Sequence, residues 1–153
     1  MFTLKTQKKF LSIRENFCRL LNKIITRENG MKRTTVRELA FKTIYSKFFN
    51  AEDAEELEIA DKDSLEFVSK ILKSFAQNYE EINTIISQNL KGYTIQRLYK
   101  IDLAIITLAV IELKFVKETP KEVVINEAVE IAKKYSTEKS PKFINGVLAD
   151  IVK

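Results

Sequence analysis

Apolar residues recur along this chain at intervals of three and four, the spacing that puts them on one side of an α-helix. Val36, Leu39, Ala40, Thr43, Ile44 and Phe48 form one such stripe, and Leu65, Val68, Leu72, Phe75 and Tyr79 form a second. Ile82, Ile85, Ile86 and Leu90 make a third, with Gly92 placed to end it as a residue that tolerates left-handed backbone. From Ile101 to Leu113 the chain is apolar nearly all round, which predicts a central helix that the others surround. Val124, Ile125, Ala128, Val129, Ile131 and Ala132, then Phe143, Ile144, Val147, Leu148 and Ile151, complete the pattern. The expectation is an all-α bundle of six or seven helices, with no convincing strand and no internal repeat.

Helix starts agree with the stripes. Thr119-Pro120-Lys121-Glu122 places a capping threonine before proline, with a glutamate three residues after the cap, and Ser140-Pro141 repeats the cap and proline. Thr35 to Glu38 and Asp63 to Glu66 repeat the cap and glutamate. Only three glycines and two prolines interrupt the chain, so long helices with few hairpins follow. The acidic stretch from Glu52 to Asp63 reads as a solvated link between helices.

Composition narrows the function more than the fold. At 45% hydrophobic and 31% charged residues, the chain matches neither a disordered segment nor a membrane protein, and its apolar run Leu103 to Ile111 is too short to span a bilayer. Histidine is absent and Cys18 is the one cysteine. That removes the usual zinc ligands, nucleophile–base pairs and neutral-pH proton shuttles, so no catalytic, metal or cofactor site is expected and the chain is read as no enzyme. Paired acids such as Glu55-Glu56 and Glu80-Glu81 read as solvated charge. A lone thiol forms no internal disulfide, which suits a reducing cytoplasm.

Charge is unevenly spread. Residues 1–30 carry seven bases against two acids, and residues 31–50 five bases against one. Residues 51–66 carry eight acids against one base, within a net charge of +5. A basic N-terminal third can attract a polyanion, though a solvated basic face gives the same count. Residues 1–30 contain an amphipathic pattern through Phe10, Ile13, Phe17, Leu20, Leu21, Ile24 and Ile25. They read either as an extension upstream of a native start at Met31 or as a basic arm that adds to RNA binding; a cleaved export signal does not fit the interrupting charges. Lys32, Arg33, Arg37 and Tyr45 combine bidentate phosphate donors with a stacking ring, a combination suited to single-stranded RNA. The same residues also fit a core tyrosine among solubilising arginines.

The stretch Arg37-Glu38-Leu39-Ala40-Phe41-Lys42-Thr43-Ile44-Tyr45, the central Ile101-Asp102-Leu103-Ala104-Ile105 with Glu112-Leu113, and the tail Val124 to Tyr135 running into Ser140 to Leu148 resemble the NusB family of bacterial transcription antitermination factors. The likeness spans residues 31–153. It implies an all-α fold of two packed helical halves that binds boxA-type RNA of ribosomal RNA leaders. It also implies pairing with the small-subunit ribosomal protein that doubles as Nus factor E, within the RNA polymerase antitermination complex. Position by position, Lys32, Arg33, Arg37 and Tyr45 match the family's basic RNA-contacting motif, Phe143 an aromatic beside the same RNA, and Asp102 an acidic position on the partner-binding side. Lys139 stands where the family is often acidic and, with Lys142 and Phe143, should favour phosphate; Thr107 replaces a frequent arginine and Ile111 a frequent aromatic. The basic cluster is thinner than the family's usual arginine run. Asn126, Glu127, Asn145 and Gly146 recur in the motif and are expected to be structural, Gly146 by letting helices approach closely and the polar groups by bonding helix ends. The alternatives are a helical scaffold or homodimeric interaction module, and a NusB-like domain related to RNA methyltransferases.

Overall fold

A computed structural model of the chain describes residues 32–49 and 62–153. The readings made for residues 1–30, Met31 and most of the acidic link lie outside the described residues. Six α-helices occupy the described residues: α1 (Arg33–Phe48), α2 (Lys62–Gln77), α3 (Tyr79–Gln88), α4 (Lys100–Ile111), α5 (Lys121–Tyr135) and α6 (Ser140–Ile151). A short 3₁₀ turn, Ile95–Arg97, precedes α4, and a π turn, Glu112–Val116, follows it. No strand occurs among the described residues.

The central helix is α4. Every residue from Asp102 to Ile111 is buried, and α4 packs against each of the other five helices. Its all-round apolar surface leaves no face for water, so the amphipathic helices close over it. Val36, Ala40 and Ile44 cover it from α1, Ile71 and Phe75 from α2, Ile82 and Ile86 from α3, Ile131 from α5, and Ile144 and Leu148 from α6. α4 ends where the main chain widens into a π turn: the Lys117 N–H donates to the Glu112 carbonyl at 2.9 Å, and Lys117 takes a left-handed φ of 54°.

Two local expectations need correction. Tyr79 does not extend the second helix; the chain breaks at Asn78, and Tyr79 opens α3 while its ring still meets Phe75 edge-on at 5.6 Å. Gly92 does not cap α3, because Asn89 is the C-cap and its amide donates to the Ile85 carbonyl at 2.8 Å. Gly92 instead supplies a left-handed φ of 76° in the following turn.

Candidate nucleic-acid interface

Two sets of contacts and one short connection fix how the helices run. Arg37 near the start of α1 meets Glu112 just past the end of α4, whereas Lys100 at the start of α4 lies 5.9 Å from the Phe48 ring at the end of α1. These two helices are therefore antiparallel. Thr34 meets Glu127 and Glu38 meets Lys134, so α1 and α5 run together. The short connection to α6 then returns the chain, and one end of the bundle gathers the ends of α1 and α5 with the beginnings of α4 and α6.

That end is aromatic and basic. Tyr135 packs on Phe41 at 5.4 Å, Phe41 on Tyr45 at 6.3 Å, and Tyr45 on Phe49 at 5.0 Å, forming a file of rings along α1. Lys42 and Lys134 hold their ammonium groups 5.5 and 5.2 Å from the Tyr135 ring. Glu38 anchors this side, accepting from Lys134 at 2.9 Å and from the Tyr135 hydroxyl at 2.8 Å. Burial pushes the Glu38 carboxyl up, but these hydrogen bonds and the Lys134 and Lys42 charges outweigh it and hold the group below its ordinary range. On the α6 side, Phe143 is half-buried and meets Tyr93 edge-on at 5.4 Å, beside the exposed Lys139 and Lys142.

Of the residues expected from the sequence, Tyr45, Lys139, Lys142 and Phe143 share this end. Lys32 and Arg33 are exposed but sit at the opposite end of α1, with Arg33 4.3 Å from the centroid of Phe67. At 1.5 Å per residue, Arg33 and Tyr45 are separated by roughly 18 Å along the helix axis.

Arg37 and Asp102 require correction as ligand-facing residues. Arg37 is 4% exposed: its Nε donates to both oxygens of Glu112 at 2.9 and 3.1 Å, and its Nη2 to Glu112 at 3.0 Å and Thr119 at 3.1 Å. Its Nε and Nη2 are thus committed to the interior of the bundle. Asp102 is 3% exposed and accepts from the Ser136 hydroxyl at 2.5 Å and the Ser140 hydroxyl at 3.0 Å. It ties the start of α4 to the α5–α6 connection and so sets where Lys139 and Phe143 stand.

The motif residues divide as well. Gly146 is exposed, and a Cβ built there meets nothing within 4 Å, so it brokers no close helix approach. Val147 and Leu148 take the buried face of α6, which turns Gly146 to solvent. Among the described residues Asn126 and Asn145 make no bond to a helix end; they line an open groove of about 440 Å³ between α5 and α6, with Ile125 and Val129 among its apolar walls. Glu127 is the member that does point inward, accepting from Thr34 at 3.5 Å.

Sequence reasoning missed Tyr93, Tyr99 and Lys100. Tyr93 and Tyr99 are 57% and 67% exposed, and Tyr99 is the N-cap of α4. Their signal was present in Gly92 to Lys100, an aperiodic stretch that interleaves two tyrosines with Arg97 and Lys100, the composition of a stacking surface that also neutralises phosphate. Among the described residues no group of acids and thiols could hold a metal ion, and no helix is long and apolar enough to cross a membrane.

Comparison with known proteins places this geometry in a wider set. The model of the NusB family matches residues 34–153. A transcription antitermination protein NusB of Clostridium botulinum (strain Loch Maree / Type A3) is 40% identical over 141 residues, covering 80% of this chain and 100% of the relative. The solved T. maritima NusB is 35% identical and superposes with a TM-score of 0.74, covering 80% of this chain and 92% of its own. A chain from the crystal structure of antitermination factors NusB and NusE in complex with dsRNA is 33% identical, with a TM-score of 0.70 over 78% of this chain and 94% of that one.

Proposed function

The chain belongs to the NusB family, and from that premise we propose that it is a transcription antitermination factor, not an enzyme. In this reading it binds boxA-type single-stranded RNA of ribosomal RNA leaders in the cytoplasm. It does so with a small-subunit ribosomal protein acting as Nus factor E, as part of the RNA polymerase antitermination complex. The relative solved with NusE and dsRNA supports an RNA ligand and the NusE partner, and the single-stranded form of the RNA rests on the side chains below. The single observation that carries the RNA assignment is the aromatic and basic end of the bundle, where Tyr45, Tyr93 and Phe143 stand with Lys139 and Lys142. The exposed Tyr93 ring and the partly exposed Tyr45 and Phe143 rings can stack on unpaired bases while lysines neutralise the backbone, which favours a single strand over a duplex.

Residues 31–153 form the RNA-binding unit in this reading, and residues 1–30 a basic extension to it. Relatives that span 80% of the chain while being covered over their whole length support that division. Lys32 and Arg33 extend the contact toward the far end of α1, whereas Arg37 and Asp102 serve the interior.

The test is a gel-shift titration with a boxA-like single strand and its duplex, with and without Nus factor E, over a range of salt. Each lost phosphate contact lowers the salt slope by about 0.7 log units for a single strand. Lys139→Glu with Lys142→Glu should flatten the slope and leave the fold intact. Binding that ignores salt, or that prefers the duplex, refutes the assignment.

A further inference from the structure

Among the described residues the large apolar side chains left exposed are Phe49, Tyr93, Tyr99 and Val123. Val123 lies in the first turn of α5, at the end of the bundle away from Phe143. The three aromatic ones stand together at the other end, and exposed rings grouped in this way mark a contact surface. Tyr93 belongs with Phe143. Phe49 and Tyr99 stand on the α1 side: Phe49 meets Tyr45 edge-on at 5.0 Å, and Lys100, next to Tyr99, holds its ammonium 5.9 Å from the ring of Phe48. Local structure turns these rings outward. Leu98 is buried and Ile95 packs against the core, so two apolar anchors pin the turn Ile95–Arg97 across the end of the bundle and leave Tyr93, Arg97, Tyr99 and Lys100 in solvent. Tyr99 is the N-cap of α4 but makes no side-chain cap, so the helix start does not need its ring.

We propose that Tyr99 and Phe49, with Lys100 beside them, form a second base-stacking subsite for single-stranded RNA, which takes unpaired nucleotides beyond those at Tyr93 and Phe143. The subsite rests on the RNA assignment proposed above and extends it toward α1. Its ligand is argued from charge and continuity. From Lys91 to Ile101 the chain carries three bases and no acid, and among the described residues neither Arg97 nor Lys100 is paired with a carboxylate. A stretch free of acids suits a polyanion, and rings set along it take successive bases by their faces with little regard to which base each is. The connection begins beside α6, at Phe143, and ends beside α1, at Phe48. The strand therefore crosses the end of the bundle from Phe143 and Tyr93 to Tyr99 and Phe49, with Arg97 and Lys100 on its phosphates.

The chain contains no tryptophan, so Tyr99→Trp places a lone indole fluorophore in the subsite while keeping a stacking ring. The experiment titrates the full chain with a boxA-like single strand of about 12 nucleotides, within the range of single-strand sites. Tyr99→Trp should bind within about twofold of wild type, and its emission should be quenched as the strand saturates. Tyr99→Ala and Phe49→Ala should each weaken binding about 5- to 150-fold, the equivalent of about 1–3 kcal/mol per stacked base. Lys100→Gln should lower the salt slope by about 0.7 log units. Capture of Nus factor E in the absence of RNA should be unchanged in all of them. If wild type binds with a salt slope and Tyr93→Ala weakens it, while Tyr99→Ala binds as tightly as wild type and the Tyr99→Trp emission is unmoved, the subsite does not exist and the RNA assignment stands. If wild type shows no salt-dependent binding, the RNA assignment itself fails and takes the subsite with it. A Tyr99→Ala variant that loses Nus factor E but keeps its RNA affinity overturns the proposal in favour of a protein-docking face. The Tyr99→Trp emission decides alone should an alanine variant fail to fold.

Discussion

Replacing Arg37 by methionine separates its two readings, interior strut and RNA contact. Methionine keeps the length and apolar character of the side chain and removes the guanidinium. Glu112, 2% exposed, then loses three hydrogen bonds and its only counter-charge on α1, and the Thr119 hydroxyl loses its donor. Breaking a buried pair by removing one partner costs about 3–5 kcal/mol, because the remaining charge stays buried and uncompensated. For a chain of this size each kcal/mol is about 2–4 °C, so the thermal midpoint should fall by roughly 6–20 °C. Glu112 already sits above its ordinary range through burial, and losing Arg37 removes the chief influence holding it down. A raised folded-state value means stability gained as pH falls, so the deficit should be smaller near pH 5 than near pH 8. Urea denaturation at both pH values measures this, and Arg37→Met with Glu112→Leu should recover much of the loss, since it removes both charges. RNA affinity below the transition, and its salt slope, should stay unchanged. A variant that keeps its stability within about 1 kcal/mol while losing salt dependence would place Arg37 on the RNA and overturn the argument.

Tyr93→Ala removes an exposed ring whose aromatic neighbour among the described residues is Phe143; single-stranded RNA should bind about 1–3 kcal/mol more weakly in a filter-binding titration, with stability within about 0.5 kcal/mol. Asp102→Asn turns an acceptor for both Ser136 and Ser140 into a mixed donor and acceptor. About 1–3 kcal/mol of stability should be lost in chemical denaturation, while the folded variant still captures Nus factor E. Gly146→Ala fills open space on a helix, so stability should rise by about 0.5–1 kcal/mol, and a loss would mean that the α6 backbone is approached in the free protein.

Residues 32–49 and 62–153 show how far a sequence carries. Apolar periodicity marked all six helices, and the unbroken apolar run of α4 identified the helix the others surround, because burial on every side is recorded in the residues of that segment alone. Helix starts were legible in part: proline and small polar residues stand at 120 and 140, within a residue or so of where α5 and α6 begin, whereas Thr35 and Asp63, expected as caps, lie inside α1 and α2, and the N-cap of α1 is Lys32. The aromatic file of α1 was visible in part, through Tyr45.

What the capping residues do was decided elsewhere. Thr119 and Ser140 have the chemistry of N-caps, yet neither hydroxyl makes a side-chain cap. Thr119 accepts from Arg37, 82 positions away, and Ser140 donates to Asp102, 38 positions away. Local pattern shows that an arginine lies on a helix; it is silent on whether that face meets water or a carboxylate 75 residues later. Desolvation and pairing depend on which helices become neighbours, and so the split between interior charge at Arg37 and Asp102 and surface charge at Lys139 and Lys142 belongs to the tertiary structure.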